Sequence, residues 1–159
     1  MKQGHSALFF YLYRKRVILT VNRRMDMSEK KWRLEEGMTE TMTLTVSERQ
    51  TAQYLGSGKS EILATPALVA LMEIASQRIV ERGIPPDCES VGTGIELGHD
   101  AMTPIGAEIE IRAILRRIDG KELFFELSAS DASGTIAKGV HKRVVTRTAI
   151  LKRLLKRKG

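Results

Sequence analysis

Cysteine is almost absent from this chain. Cys88 stands alone among 159 residues, so no disulfide can form within the chain, and a reducing cytoplasm is the expected compartment. It follows Pro85 and Pro86 in an expected loop and reads as incidental. Aromatic residues make up only 5% of the composition, which leaves small and branched aliphatic side chains to fill most apolar positions. Histidine is also scarce: His5, His99 and His141 lack the spacing of metal ligands, and no metal site is expected. Long apolar runs are missing too. Residues 7–13 are too few to span a bilayer, and Arg14, Lys15 and Arg16 interrupt them before the apolar residues 17–21. The same stretch lacks the order of a secretory signal, in which basic residues precede a longer apolar run and a small-residue cleavage site. No internal repeat appears, and the basic tail is the sole low-complexity tract.

What is there divides into three parts by charge. The formal net charge is +7, yet residues 38–146 carry 15 acidic against 11 basic side chains. The excess of cations lies at the ends, with 9 basic and 4 acidic residues over 1–37 and 6 basic and no acidic residues over 147–159. The expected organisation is a poorly ordered basic extension over 1–37, a mildly acidic domain over 38–146 and a basic tail over 147–159. Met25, Met27 and Met38 are candidate later starts. The tail sets Ile150, Leu151, Leu154 and Leu155 among Lys152, Arg153, Lys156, Arg157 and Lys158, an amphipathic basic helix that can pack its leucines on the domain. Attraction to the phosphates of a small ligand, to RNA or to an anionic membrane surface stays open for it. The tail has no aromatics for bases to stack on, which argues against single-stranded nucleic acid as a partner.

Hydrophobic periodicity predicts an α+β domain. Thr41, Thr43 and Thr45 alternate with Met42, Leu44 and Val46, which reads as a first strand with one polar face. Residues 47–55 read as a short helix capped by Ser47 and stopped at Gly56-Ser57-Gly58. A main helix is expected over 66–82, with Thr65 as its N-cap, Pro66 in its first turn, and Gly83 with Pro85-Pro86 ending it. Ile109, Ile111, Ala113 and Leu115 alternate with charged residues, and Leu123, Phe125, Leu127 and Ala129 repeat the pattern after the Asp119-Gly120 turn. A last strand is expected over 135–146. One long helix followed by four strands, with a strand before it, is a plan in which an antiparallel sheet wraps a central helix.

Two segments carry the chemistry: ATPALVALMEIA over 64–75 and SVGTGIELGHDAMTPIG over 90–106. Glu73 falls about two helical turns beyond Thr65, inside an otherwise apolar run, where a carboxylate must find a partner or do chemistry. Each residue has a plainer reading as well. Thr65 can serve only as a cap, Glu73 can bond the sheet backbone, and His99 can be a solvated strand end. His141 and Arg143, two residues apart, share one strand face, and Lys142 on the other face reads as solvated.

Over roughly 38–146 the chain resembles the fluoroacetyl-CoA thioesterase type of hot-dog protein. The likeness runs through Ala64-Thr65, Leu71-Met72-Glu73, Val91-Gly92-Thr93, His99, Thr103-Pro104 and Gly106, then Gly139, His141 and Arg143. The resemblance implies a hot-dog fold and a homodimer, with a tetramer left open. It also implies a site at the subunit interface where Thr65 and Glu73 of one helix meet His99 of the partner. There Glu73 would polarise Thr65 or a water, and His99 would orient and stabilise developing charge. The Gly92 N–H would serve as the oxyanion donor. Arg143 would lie near the acyl-CoA, holding a CoA phosphate or pairing with a carboxylate such as Glu73. No cofactor is implied beyond coenzyme A as part of the substrate.

One stretch departs from the family pattern. Gly56-Ser57-Gly58-Lys59-Ser60 stands where the fluoroacetyl specialist has an aromatic-rich lid, which argues against fluoroacetyl-CoA specificity. The expected activity is hydrolysis of small or medium acyl-CoA thioesters. The alternatives from other classes are a non-catalytic acyl-CoA-binding or regulatory module, and a nucleic-acid or membrane-associated protein driven by its basic ends.

Overall fold

A computed structural model describes residues 32–157. The expectations for the extension before Trp32 lie outside the described residues. Five strands and two helices follow in the order β1 (Thr39–Thr45), α1 (Thr65–Glu81), β2 (Cys88–His99), β3 (Glu108–Asp119), β4 (Glu122–Asp131), β5 (Gly134–Arg147) and α2 (Thr148–Leu155). The strands form one antiparallel sheet in the order β1-β3-β4-β5-β2. This is the α+β arrangement expected of a hot-dog domain, a sheet wrapped around one long helix.

The wrap follows from which positions are apolar. On α1, Leu68, Met72, Ala75, Ser76, Ile79 and Val80 are buried, a helical stripe that faces the sheet. Ile109, Ile111, Ala113 and Leu115 on β3 and Leu123, Phe125, Leu127 and Ala129 on β4 are buried at every second residue and meet that stripe. The Asp119-Gly120 hairpin forms as expected, with Gly120 at φ 57°, a left-handed conformation that glycine adopts without steric cost. Arg78 and Arg82 both reach Glu40, pinning the C-terminal end of α1 to β1.

Four expectations change. The compact unit begins at Trp32 rather than Met38. Leu34 is buried against Gly83, where an added Cβ would sit 2.5 Å from Leu34 Cδ2. The Arg33 N–H donates to Gly83 O (2.8 Å) and the Gly37 N–H to Leu115 O (2.7 Å), so residues 32–37 are held by core packing and backbone pairing together. Instead of a helix over 47–55 there is one 3-10 turn, Glu48–Gln50. The chain then pairs with the segment before α1, through Ala52 N–H to Ile62 O and Ala64 N–H to Gln50 O, which takes a donor and an acceptor that a helix would use. Lys142 pairs with Glu122 and is not simply solvated. On α2, Ile150 and Leu151 are half-buried against the domain, whereas Leu154 and Leu155 stay exposed. Among the described residues no helix is long and apolar enough to cross a membrane.

Candidate active site

The N-terminus of α1 starts one residue earlier than expected. Leu68 N–H donates to Ala64 O, which makes Ala64 the N-cap and puts Thr65 at the first helical position with Pro66 after it. Thr65 is therefore not the cap, and its hydroxyl is free for another partner. That partner is His99 of the same chain, with Thr65 Oγ1 and His99 Nδ1 3.0 Å apart. The expected meeting of Thr65 with a partner subunit's histidine is thus replaced by a contact within one chain. The topology explains it: β2 starts near the end of α1 and runs back along it, so its last residue returns to the beginning of the helix.

His99 Nε2 is the one buried side-chain nitrogen or oxygen without a hydrogen-bond partner among the described residues. With the proton on Nε2, the Thr65 hydroxyl donates to Nδ1, and the imidazole is set to take that proton as the oxygen attacks. The unsatisfied Nε2 then faces the cost of burial until something accepts from it. Beside this pair lies an open cleft of about 560 Å³, lined by Thr65, His99, Ile62, Ala101 and Met102 and by Ser57, Gly58, Lys59 and Ser60. Its lining holds no Phe, Tyr or Trp, in keeping with the departure noted in the sequence.

Glu73 belongs to a second cluster. Eight residues along a helix amount to about 12 Å, so Glu73 does not reach the Thr65–His99 pair of its own chain. It lies instead over Gly92, where an added Cβ would collide with Glu73 Oε1 and approach His141 Cε1 to 3.2 Å. Glycine thus leaves room here for the close approach of the carboxylate. The β2–β5 register slips between Gly92 and Gly94, a bulge that sets the strand backbone locally apart from its ladder.

Arg143 and His141 form the floor beneath Glu73. Arg143 Nη1 lies 3.9 Å and His141 Nε2 3.4 Å from Glu73 Oε1. Arg143 is buried, and its fork is already engaged: Nε donates to Ser90 Oγ (2.9 Å), while Nη2 donates to Gln77 Oε1 (2.7 Å) and Ser90 O (3.1 Å). Of the two roles considered for this guanidinium, pairing with Glu73 is the one this geometry serves, because Nε and Nη2 are engaged within the chain and Nη1 faces Glu73. Burial disfavours the charged form of Arg143, and the carboxylates of Glu73 and Glu81 oppose that effect. His141 donates from Nδ1 to Gly94 O (2.9 Å), and burial pushes its pKa below the ordinary imidazole value. In its neutral form Nε2 carries the lone pair and accepts from Arg143 Nη1 at 3.2 Å. A second open cleft of about 470 Å³ lies here, lined by Ala70, Glu73, Ile74, Gln77, Arg78, Glu81 and Arg143.

The expected residues therefore fall into two clusters in one chain, Thr65 with His99 and Glu73 with Gly92 and Arg143. Sequence reasoning missed Gln77 and Ser90. The spacing of Gln77 four residues after Glu73 places both on one helix face and could have signalled it.

A family model described as fluoroacetyl-CoA-specific thioesterase matches residues 46–149. A curated fluoroacetyl-CoA thioesterase from Streptantibioticus cattleyicolor is 38% identical over 85 residues, 54% of this chain, and the match spans 61% of that relative's length. A solved structure of the fluoroacetyl-CoA thioesterase FlK is 29% identical, with a TM-score of 0.73 over 79% of this chain and 97% of that one. A hot-dog-like protein from Thermanaerovibrio acidaminovorans is 26% identical, with a TM-score of 0.73 over 79% of this chain and 94% of its own.

Proposed function

This chain belongs to the fluoroacetyl-CoA-specific thioesterase family, and we propose that it hydrolyses small or medium acyl-CoA thioesters to the free acid and coenzyme A. The observation that carries the proposal is the Thr65–His99 hydrogen bond at a helix N-terminus, beside an open cleft. The relatives support the same substrate class. One neighbouring structure, of a variant of FlK at 30% identity and a TM-score of 0.70 over 74% of this chain and 98% of that one, is a complex with fluoroacetate and CoA.

In the reaction, Thr65 Oγ1 or a water bonded to it, polarised by Glu73 of the other subunit, attacks the thioester carbonyl carbon while His99 Nδ1 takes the proton. The carbonyl becomes a tetrahedral oxyanion, stabilised by the Gly92 N–H, and its collapse breaks the C–S bond. CoA leaves as a thiolate and picks up the proton. Water completes the balance, directly or by hydrolysing an acyl-threonine. Coenzyme A enters as part of the substrate, and no further cofactor is assigned.

The separation of the two clusters supports a homodimer in which one subunit supplies Thr65 and His99 and the other supplies Glu73, Gly92 and Arg143. Among the described residues strand β2 is a sheet edge of 12 residues, and such an edge calls for a cover. Exposed Val91 on that strand and exposed Ile74 beside Glu73 offer apolar area for a second copy. The single cysteine supports a cytoplasmic setting. The exposed Leu154 and Leu155 of α2, set among Lys152, Arg153, Lys156 and Arg157, suit contact with an anionic membrane surface, which co-sedimentation with anionic vesicles tests.

The test of the activity is free-thiol release from a panel of acyl-CoA esters, acetyl through long-chain, by the full chain and its Glu73→Ala variant. Turnover that collapses in a folded variant is expected. Equal turnover in both would remove Glu73 from the reaction, and silence across the panel would remove the activity.

A further inference from the structure

His141 takes no part in the chemistry above, yet it touches every component of the Glu73 cluster. Its side chain is 1% exposed, lying 6.2 Å from the Phe125 ring of β4 between ring centroids. From β2, Gly94 O accepts its Nδ1–H at 2.9 Å, and Gly92 passes close enough to Cε1 that even a methyl there would be tight. From its own strand, Arg143 Nη1 meets Nε2 at 3.2 Å. From α1, Glu73 Oε1 lies 3.4 Å away, and Gln77 bonds the same arginine. Glu81 acts on Arg143 electrostatically, and Lys142 is committed to Glu122 on the opposite face.

We infer that His141 is a positioning residue: its neutral ring ties the Gly92–Gly94 bulge to Arg143 and, through Arg143, fixes the Glu73 carboxylate over Gly92. The inference rests on the thioesterase reading of the same site. Each nitrogen has one duty. Nδ1–H holds the bulged strand at Gly94, so the Gly92 backbone keeps its direction. Nε2 accepts from Arg143, which turns the guanidinium toward Glu73. Protonation would leave the Nδ1–H bond to Gly94 O and abolish the second function. Nε2 would change from acceptor to donor, Arg143 would face a second cation, and the imidazolium would draw the Glu73 carboxylate to itself. Burial opposes that protonation, so the working form is the neutral one.

Three substitutions separate the two ties. His141→Asn can still donate to Gly94 O, His141→Gln can still offer an acceptor toward Arg143, and His141→Phe fills space with neither. Thiol release should show kcat reduced by about tenfold or less in the Asn and Gln variants and by about 100-fold in Phe, with KM within about threefold throughout. Wild-type kcat in a folded Phe variant overturns the inference while leaving the thioesterase intact. Nitrogen-resolved imidazole NMR of the wild-type chain needs neither turnover nor a stable variant. A neutral His141 with its proton on Nδ1 at pH 7 is expected. A proton on Nε2, or a charged ring at that pH, refutes the positioning role even if the panel of esters proves silent.

Discussion

Replacing Gly92 with alanine separates catalysis from stability at a single atom. The new methyl would land on Glu73 Oε1 and lie 3.2 Å from His141 Cε1. His141, buried and bonded through both ring nitrogens, has to give by only a few tenths of an ångström. Glu73 can move further, since its side chain is 43% exposed and the contact falls at its flexible end. Restoring an ordinary contact requires the carboxylate to retreat by about 1 Å, and a misplacement of that size costs about 100-fold in rate, or about 2.7 kcal/mol of barrier. Folding should not suffer. Gly92 is not among the glycines with positive φ, so alanine adopts its backbone unstrained and restricts the unfolded chain, worth about 0.4–1 kcal/mol in favour of the variant. Free-thiol release and thermal melting, run on one preparation, should therefore show kcat/KM down about 100-fold with Tm unchanged or slightly raised. Two results refute the reasoning: kcat/KM within about threefold of wild type, which makes the Glu73–Gly92 approach irrelevant to turnover, or a clear fall in Tm, which means the carboxylate does not yield.

Three further outcomes are expected. Thr65→Ser keeps a hydroxyl within reach of His99 Nδ1 and should retain kcat within about tenfold, whereas Thr65→Val should lose about 100-fold or more in the same thiol assay. Leu34→Ala should cost about 2–4 kcal/mol in urea unfolding at unchanged m-value, and a chain begun at Met38 should lose at least as much, because Leu34 fills the space above Gly83. The depressed pKa of His141, caused first by burial, gives stability a pH dependence with a defined sign. Above about pH 6.5 the ring is neutral in both states and contributes nothing; below it the unfolded chain takes up a proton that the folded one resists. Stability should then fall by up to about 1.4 kcal/mol per pH unit until the folded ring titrates, and denaturation series on wild type and His141→Asn should show that slope only in the wild type.

The elements legible in the sequence were those whose pattern one physical rule controls. Alternation along Ile109, Ile111, Ala113 and Leu115 has a period of two, and the structure buries those four residues on one face. Pro66 and Gly83 bracket α1 because one lacks a donor and the other follows the last turn. What escaped was set by pairing between distant segments. Residues 47–55 carry a helix-like signal, yet Ala52 and Ala64 find better backbone partners across the chain. Leu34 is one apolar residue followed by Glu35, Glu36 and Gly37, too short a run to show any period. Thr65, Glu73 and His99 were identifiable as a set, but spacing carries no information on which chain each comes from. The return of β2 along α1 puts Thr65 and His99 together and leaves Glu73 about 12 Å away, and strand direction is a property of the topology rather than of local sequence.

That separation has a genetic consequence. If each site draws Thr65 from one subunit and Glu73 from the other, a subunit carrying Thr65→Val and a subunit carrying Glu73→Ala are each null as homodimers, but together they make a mixed dimer. One of its two sites combines both lesions, and the other combines an intact threonine with an intact glutamate. Random assortment in a cell bearing both alleles would restore about a quarter of the wild-type sites. The two mutations would fall into separate complementation groups within a single gene.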